Sequence, residues 1–307
     1  MSCLALLAAT AIVGRGAPAS RVMAAAELAQ FGGAVLVGDN EVFAGESANQ
    51  FRAGTVYVYR KVGASWMEAM QITGPASAVG DGFGASLALD GATLFVGAGS
   101  SAVHVFNKQG ANWTFASTVS ATSVPAPASA ATPAPTAPPA GAPVANQPTA
   151  PTGPRFGNAI AASGDWLLVG KELAGGRGRG GPISAAPGQG RAGNAPPQPA
   201  GAVYAFKRGA NGQYAYHSTI AAPDAAASAG DRFGSAIALA GGTALIGASG
   251  QSSGAGIVHE FAVDTDGTWK TQRTFAPVGA QPNAAFGSAL TFVNDQAVVS
   301  APGESGG

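Results

Sequence analysis

The chain has 307 residues, of which only 10% are charged, and its formal net charge at pH 7 is zero. This balance argues against a nucleic-acid partner, because phosphate binding requires a basic face. Glycine and proline are abundant, with 46 and 21 copies, as expected of a turn-rich β protein with flexible insertions.

The first residues differ from the rest of the chain. An apolar run over residues 4–13 is followed by Ala17-Pro18-Ala19, which fits a small-residue cleavage site. Because the run is too short to span a membrane, residues 1–19 are predicted to be a secretory signal peptide. The protein is then expected to be exported to the periplasm, the cell surface or the medium, without a transmembrane segment. A buried N-terminal strand or helix is the alternative, since no positive charge precedes the run. The only cysteine, Cys3, would be removed with the peptide.

A short pattern then recurs five times within residues 20–307. Each copy begins with a Phe-Gly pair, followed by an apolar run, a tight turn and a second apolar run, which is the pattern of a β-hairpin. In four copies a third, alternating run follows, and then a fourth that begins with an aromatic residue. The pairs are Phe31-Gly32, Phe83-Gly84, Phe156-Gly157, Phe233-Gly234 and Phe286-Gly287, and the aromatic residues are Trp66, Trp113, Tyr214 and Trp269.

The spacing of the repeats predicts the architecture. Repeat units begin at residues 31, 83, 156, 233 and 286, and the shorter spacings are close to the roughly 40–50 residues of a propeller blade. We therefore predict an all-β fold, a β-propeller of four-stranded antiparallel blades, with four complete blades and part of a fifth. Because Gly307 follows the second strand of the fifth unit, the chain is expected to be a fragment of a ring of 6–8 blades.

These repeats resemble FG-GAP repeats, the blades of the integrin alpha-subunit β-propeller and of many bacterial surface proteins. The FG half matches in every unit, whereas the GAP half is degenerate, and its closest copy is Ser300-Ala301-Pro302. The resemblance covers about residues 21–307. It implies an exported, non-enzymatic module for adhesion, ligand binding or protein interaction, with an extracellular protein or glycan as its partner. The alternatives are an accessory propeller of an enzyme whose catalytic domain lies beyond residue 307, and a structural spacer of a surface protein.

The resemblance does not extend to calcium. Calcium-binding members of the family carry an acidic loop between FG and GAP, where this chain has only a short hairpin turn. A single Asp cannot supply the 6–8 oxygens that Ca²⁺ prefers, so no calcium or other cofactor is expected. Asp264-Thr265-Asp266-Gly267 has some likeness to a calcium loop but is interpreted as a β-turn between a third and a fourth strand.

Two segments interrupt the repeats. Residues 124–154 are rich in Pro, Ala and Thr, and residues 172–199 are rich in Gly, Pro and Arg, so both are predicted to be disordered insertions. One joins a fourth strand to the next first strand and the other joins strands two and three, which places both on the same face of the disc. They indicate either a decorated binding face or neutral growth of surface loops, which are tolerant of length.

No catalytic, cofactor-binding or metal-binding residue is predicted, and the ligand-binding residues are left unknown. The tract at residues 176–181 has a GxGxxG spacing, but no helix follows it. Residues 303–307 fit GxSxG, but they continue a GAP segment and lack His and Asp partners. His104 and His259 occupy a third-strand position that holds Tyr57 and Tyr204 in other units, so they are interpreted as packing residues. The aromatic residues that open the fourth strands are likewise interpreted as framework.

Overall fold

The structure is a computed structural model that describes residues 31–49, 51–76, 78–99, 101–124, 155–172, 201–224, 229–279, 281–293 and 296–304. Residues 1–19 and nearly all of both insertions lie outside these ranges. The signal peptide and the disorder of the insertions therefore remain predictions.

The described residues form four complete four-stranded sheets and one hairpin. Blade 1 contains β1 (Phe31–Val37), β2 (Glu41–Glu46), β3 (Thr55–Val62) and β4 (Ser65–Thr73). Blade 2 contains β5 (Phe83–Asp90), β6 (Thr93–Ala98), β7 (Ala102–Gln109) and β8 (Asn112–Ser120). Blade 3 contains β9 (Arg155–Ser163), β10 (Trp166–Glu172), β11 (Ala202–Arg208) and β12 (Tyr214–Ala221). Blade 4 contains β13 (Phe233–Ala240), β14 (Thr243–Ala248), β15 (Ile257–Val263) and β16 (Trp269–Phe275). The half-blade consists of β17 (Leu290–Val293) and β18 (Gln296–Val299).

Each strand of a blade pairs antiparallel with the strand next to it in the chain. The hydrophobic clusters lie between neighbouring sheets, one cluster at each of the four blade boundaries. An isolated four-stranded sheet would leave both apolar faces in water, so each blade depends on its neighbours for burial. The predicted all-β propeller, with four blades and part of a fifth, is confirmed.

In the four complete blades the Phe-Gly pair lies in the first strand, at its first residues or one residue after its start. In blades 1, 2 and 4 the pairing register between the first and second strands shifts just after this pair, so the glycine lies in a β-bulge. The FG glycines have φ between 73° and 88°, a region that L side chains rarely adopt. Glycine is needed because the bulge bends the strand at the edge of the blade boundary.

The phenylalanines of the motif pack between blades. Phe83, Phe156 and Phe233 are fully buried, each in the cluster between its own blade and the preceding one. Phe31 is 44% exposed, because no blade among the described residues precedes blade 1. The same motif therefore has different surroundings at the start of the described propeller.

Candidate functional site

The strand directions give the propeller two distinct faces. The turn face carries the hairpin turns that join first to second strands and third to fourth strands. The FG face carries the Phe-Gly pairs and the connections between second and third strands. The strand ends that the two insertions connect lie at the FG face.

A polar pocket opens on the turn face at the boundary between blades 1 and 2. Its volume is about 440 Å³. Three basic residues and one acidic residue line it, together with an asparagine and the residues of two tight turns. The lining residues are Asn40, Glu41, Arg60, Lys61, Gly63, Lys108, Gly110 and Ala111.

Glu41 is the centre of this pocket. It is the first residue of β2 and is only 5% exposed. Arg60 lies directly opposite it on β3, and its Nε donates to Oε1 at 2.7 Å. Lys108 reaches across the boundary from β7, and its Nζ donates to Oε2 at 2.9 Å. Both carboxylate oxygens of Glu41 are therefore already occupied by cations.

The two cations connect the blades in opposite directions. Arg60 of blade 1 donates to the backbone carbonyl of Ala111 in blade 2, while Lys108 of blade 2 donates to blade 1. The Lys108 ammonium also lies 5.5 Å from the centre of the Trp113 ring, which packs edge-on against Phe43 of blade 1. The base of the pocket is thus held by charged and aromatic contacts together.

The electrostatics of the pocket follow from these contacts. Burial alone would raise the pKa of Glu41, but the hydrogen bonds from Lys108 and Arg60 outweigh it and hold that pKa below its ordinary value. Lys61 forms no ion pair with an acidic group of the described residues. One carboxylate shared by two cations leaves the cavity with an excess of positive charge.

Sequence reasoning missed this pocket. At the start of the second strand the other complete blades carry Thr93, Trp166 and Thr243 in place of Glu41. A departure from the repeat at one position was therefore the available signal. Its partner Lys108 is 67 residues away in the chain, and only the blade-to-blade register shows that the two side chains meet.

A second charged cluster lies at the FG face of blade 1. The carboxylate of Glu46 is fully buried and accepts from Asn49 Nδ2 at 2.9 Å, Arg52 at 2.6 Å and the Tyr57 hydroxyl at 2.8 Å. Burial, followed by the bond to Glu46, raises the pKa of Tyr57 to about 12. Phe51 and Arg52 donate their backbone N–H groups to Asn49 Oδ1. The cluster fixes the β2–β3 connection.

The two third-strand histidines pack against the phenylalanines of the FG motif. The ring centres of His104 and Phe83 are 5.8 Å apart, as are those of His259 and Phe233. His104 Nδ1 lies 2.9 Å from the Thr118 hydroxyl, a partner on the neighbouring strand. Burial lowers the pKa of both imidazoles. The structure brings neither histidine into the pocket.

The aromatic residues that open the fourth strands lie at blade boundaries. Tyr214 of blade 3 packs edge-on against Phe95 of blade 2 at 5.3 Å, and Trp269 of blade 4 packs against Trp166 of blade 3 at 5.4 Å. The indole Nε1 atoms of Trp113 and Trp269 are buried without a hydrogen-bond partner among the described residues. Trp66, at the same position in blade 1, is 44% exposed.

The other sequence motifs lie away from the pocket. Asp264 and Gly267 close the turn between β15 and β16, where the Gly267 N–H donates to the Asp264 carbonyl, and the Asp264 carboxylate pairs with Lys270 at 2.5 Å. The tract at residues 176–181 and the end of the tract at residues 303–307 fall outside the described residues. Within the described part of the chain, no group of three or more His, Cys, Asp or Glu side chains is placed to hold a metal ion. No helix there is both long and apolar enough to cross a membrane.

Several solved structures resemble the chain in fold. A protein from Lactobacillus plantarum is 11% identical with a TM-score of 0.47; the alignment covers 79% of this chain and 55% of that one, so the chain spans about half of its length. A candidate 6-phosphogluconolactonase from Bacteroides uniformis is 13% identical with a TM-score of 0.42, covering 86% of this chain and 75% of that one. The periplasmic gluconolactonase PpgL of Pseudomonas aeruginosa is 14% identical with a TM-score of 0.35, covering 79% and 71%.

These neighbours correct one expectation from the sequence. The repeats had led us to expect a non-enzymatic module for adhesion, ligand binding or protein interaction. That expectation is contradicted, since propellers named as lactonases are among the structures that resemble the chain. Identities of 10–14% show the fold and not the reaction. A Phe-Gly repeat therefore describes how blades pack and does not single out adhesion.

A comparison with curated proteins found no match in sequence. The model of the FG-GAP repeat family matches residues 216–259, which run from the fourth strand of blade 3 to the third strand of blade 4. This match includes the Phe233-Gly234 pair and the hairpin that follows it. The chain therefore contains an FG-GAP repeat, built into a β-propeller of four-stranded blades.

Proposed function

We propose that this propeller acts on a small anionic substrate, which is held in the pocket between blades 1 and 2. The observation that carries the proposal is the charge arrangement around Glu41. Arg60 and Lys108 share this one carboxylate, and all three groups line the same cavity. A site with more cations than carboxylates favours a phosphate or carboxylate ligand.

The size of the pocket fits this role. Small-molecule sites commonly measure about 300–1,000 Å³, and this cavity measures about 440 Å³. Gly63 and Gly110 lie in the two third-to-fourth-strand turns, with φ near 60°. These two glycines form part of the wall without side chains, which leaves room for a ligand in the cavity.

The lining also limits the chemistry. None of the described residues that line the pocket is a histidine, and its carboxylate accepts hydrogen bonds from two cations at once. We therefore assign these residues to substrate binding and charge stabilisation, and not to proton transfer. Ammonium and guanidinium groups near a carbonyl or phosphoryl oxygen stabilise the negative charge that develops there when water attacks. Esters and lactones of anionic sugar acids are substrates of this kind.

The test begins with binding. 6-Phosphogluconate is a suitable probe because it carries both a phosphate and a carboxylate, and isothermal titration calorimetry would measure its affinity for the whole chain. We expect Arg60→Ala and Lys108→Ala each to weaken binding by about 10-fold, the effect of losing one charge-assisted hydrogen bond. Lys270→Ala removes a cation from blade 4, outside the pocket, and should leave the affinity unchanged.

Turnover is measured separately with 6-phosphogluconolactone, which adds a cyclic ester to the phosphate. Hydrolysis above the buffer rate that falls in Arg60→Ala but not in Lys270→Ala would support the proposal. Absence of binding by either compound would contradict it, and so would binding that all three variants retain equally.

A further inference from the structure

The pocket between blades 1 and 2 already contains the chemical group that its cations would bind. Arg60 Nε donates to Glu41 Oε1 at 2.7 Å, and Lys108 Nζ donates to Glu41 Oε2 at 2.9 Å. These are the charge-assisted contacts that a guanidinium and an ammonium make with the carboxylate of a ligand. Glu41 therefore uses the same donors that the carboxylate of a sugar acid would need.

The two cations reach solvent, whereas the carboxylate between them does not. The side chain of Glu41 is 6% exposed, and those of Arg60 and Lys108 are 27% and 38% exposed. Both cations also keep hydrogen-bonding capacity, because an ammonium has three N–H donors and a guanidinium has five. Arg60 directs Nε to Glu41 and Nη2 to the Ala111 carbonyl, and Lys108 directs one donor to Glu41. An anion that enters the cavity can therefore contact these cations without first displacing Glu41.

The charge of Glu41 opposes that contact. An anion bound to Arg60 and Lys108 lies close to a second negative charge in a partly buried site, where like charges repel more strongly than in water. The two cations are also partly neutralised, because each already forms an ion pair with Glu41. Their attraction for an anion from solution is thus weaker than it would be beside an uncharged residue.

The other blades show that a boundary can be closed without this carboxylate. At the position of Glu41, blades 2, 3 and 4 carry Thr93, Trp166 and Thr243, none of which is charged. In blade 2, Thr93 Oγ1 lies 3.5 Å from the Asn107 amide oxygen on the neighbouring strand, where blade 1 has an ion pair. The framework therefore accepts an uncharged side chain here, so the repeat itself does not dictate the charge of Glu41.

We infer that Glu41 is an internal competitor, which weakens the binding of carboxylates in the pocket and so promotes release of the acid formed by lactone hydrolysis. This inference rests on the proposed function. Hydrolysis breaks the ring C–O bond of the lactone; the carbonyl carbon gains the hydroxyl of water and the ring oxygen gains its proton. The new acid then loses a proton to solvent. Because the lactone group is uncharged and the product is a carboxylate, the repulsion by Glu41 acts on the group that hydrolysis creates.

The experiment measures carboxylate binding by isothermal titration calorimetry at pH 7, with the whole chain and with gluconate and 6-phosphogluconate as probes. Glu41→Gln removes the charge and keeps the length of the side chain. We expect it to bind both compounds about 10-fold more tightly than the natural chain, because the freed cations gain about one charge-assisted hydrogen bond to the ligand. A purely structural role of Glu41 would produce the opposite result, since a disturbed pocket binds more weakly.

Two further variants control this result. Glu260→Gln removes a carboxylate that pairs with Arg273 in blade 4, outside the pocket, and should leave both affinities unchanged. Adding Lys108→Ala to Glu41→Gln should remove most of the gain, because it deletes one of the two freed cations. Glu41→Thr introduces the residue that blades 2 and 4 carry, and it replaces Glu41→Gln in the titrations if circular dichroism shows that the glutamine variant is misfolded.

The outcomes separate this inference from the proposed function. If the natural chain binds 6-phosphogluconate and Glu41→Gln binds it equally or more weakly, the inference is overturned and the proposed function stands. A gain that persists in full after Lys108→Ala also overturns the inference, since the freed ammonium would then not hold the ligand. Binding by Glu41→Gln alone would support it. Absence of binding by the natural chain and by both Glu41 variants would overturn the proposed function and, with it, the inference.

Discussion

The carboxylate of Glu41 and the ammonium of Lys108 lie 2.9 Å apart across the boundary between the first two blades. The hydrophobic clusters at the other boundaries consist of aromatic and aliphatic side chains. Here the buried carboxylate of Glu41 pairs with Lys108 of the neighbouring sheet, and Arg60 of its own sheet also pairs with it. The pair therefore joins the packing of the blades to the charge of the pocket.

We expect Glu41→Gln to destabilise the protein by about 1–3 kcal/mol, the cost of losing charge-assisted hydrogen bonds in a buried setting. Urea denaturation at pH 7 measures this. Glu260→Gln is the control, because Glu260 pairs with the largely exposed Arg273 within blade 4. Its effect should stay below about 1 kcal/mol. Equal losses in the two variants would contradict the special role of the boundary pair.

The same residue gives the chain an acid-sensitive contact. The folded-state pKa of Glu41 lies below its ordinary value of 4.5. Its ion pairs therefore contribute fully above about pH 4.5 and are lost as the pH falls through the folded-state pKa. The difference in unfolding free energy between the natural chain and Glu41→Gln should shrink between pH 6 and pH 3. A difference that stays constant over this range would argue against ionised Glu41 as the source.

The histidines should make stability depend on pH in a higher range. Burial lowers the pKa of His259 below its ordinary value of 6.5, so the unfolded chain takes up a proton more readily. Stability is then fully present above pH 6.5 and declines as the pH falls towards the folded-state pKa. His259→Tyr places there the residue that Tyr57 and Tyr204 provide in other blades. Thermal melts at pH 7.5 and 5.5 should show a smaller drop in Tm for this variant than for the natural chain.

A second-strand glycine that lies against the Phe-Gly glycine of the next blade should tolerate substitution far less than an ordinary turn glycine. Gly170→Ala introduces a Cβ 2.3 Å from the Gly234 carbonyl oxygen, and we expect a loss of about 3 kcal/mol, at the upper end for overpacking. Gly164→Ala is the control, because Gly164 has φ 61° but no atom within 4 Å of its Cβ position. Backbone strain alone should cost it about 1 kcal/mol. Chemical denaturation of both variants measures whether the close contact with the next blade or the positive φ in a turn costs more stability.

The phenylalanines of the motif offer a comparison within one chain. Phe233 is fully buried and Phe31 is 44% exposed. Phe233→Ala should cost about 3–5 kcal/mol, since it opens a cavity between two blades. Phe31→Ala should cost about 1 kcal/mol, because half of that ring already meets water. Similar losses of stability in the two variants would mean that the side of blade 1 that carries Phe31 is covered in solution.

The blades were predictable because their pattern is local. A Phe-Gly pair, two apolar runs and an aromatic fourth strand recur within one unit, so the sheet pairing follows from sequence alone. The bulge at the Phe-Gly pair was not foreseen, since a positive φ at glycine suits a turn and a bulge equally well. The exposure of Phe31 was not foreseen either, because burial of this residue depends on the preceding blade and not on its own unit.

The pocket could not be predicted in the same way. Glu41 and Lys108 belong to different repeats, and neither residue has a distinctive neighbour in sequence. Their meeting depends on how far one sheet is rotated against the next, which is a property of the packed boundary. The expected adhesion role failed for a related reason, since the repeat describes the framework and carries no information about the residues that vary on it.

The location of the hydrophobic clusters between sheets has an evolutionary consequence. A unit that is inserted by duplication adds one sheet and one boundary, including the second-strand glycine and the Phe-Gly glycine that meet there. The existing boundaries keep their side chains and their geometry, so the number of units can change without redesign of a common interior. A pair of side chains such as Glu41 and Lys108 can then specialise one boundary while the other boundaries continue to hold the framework.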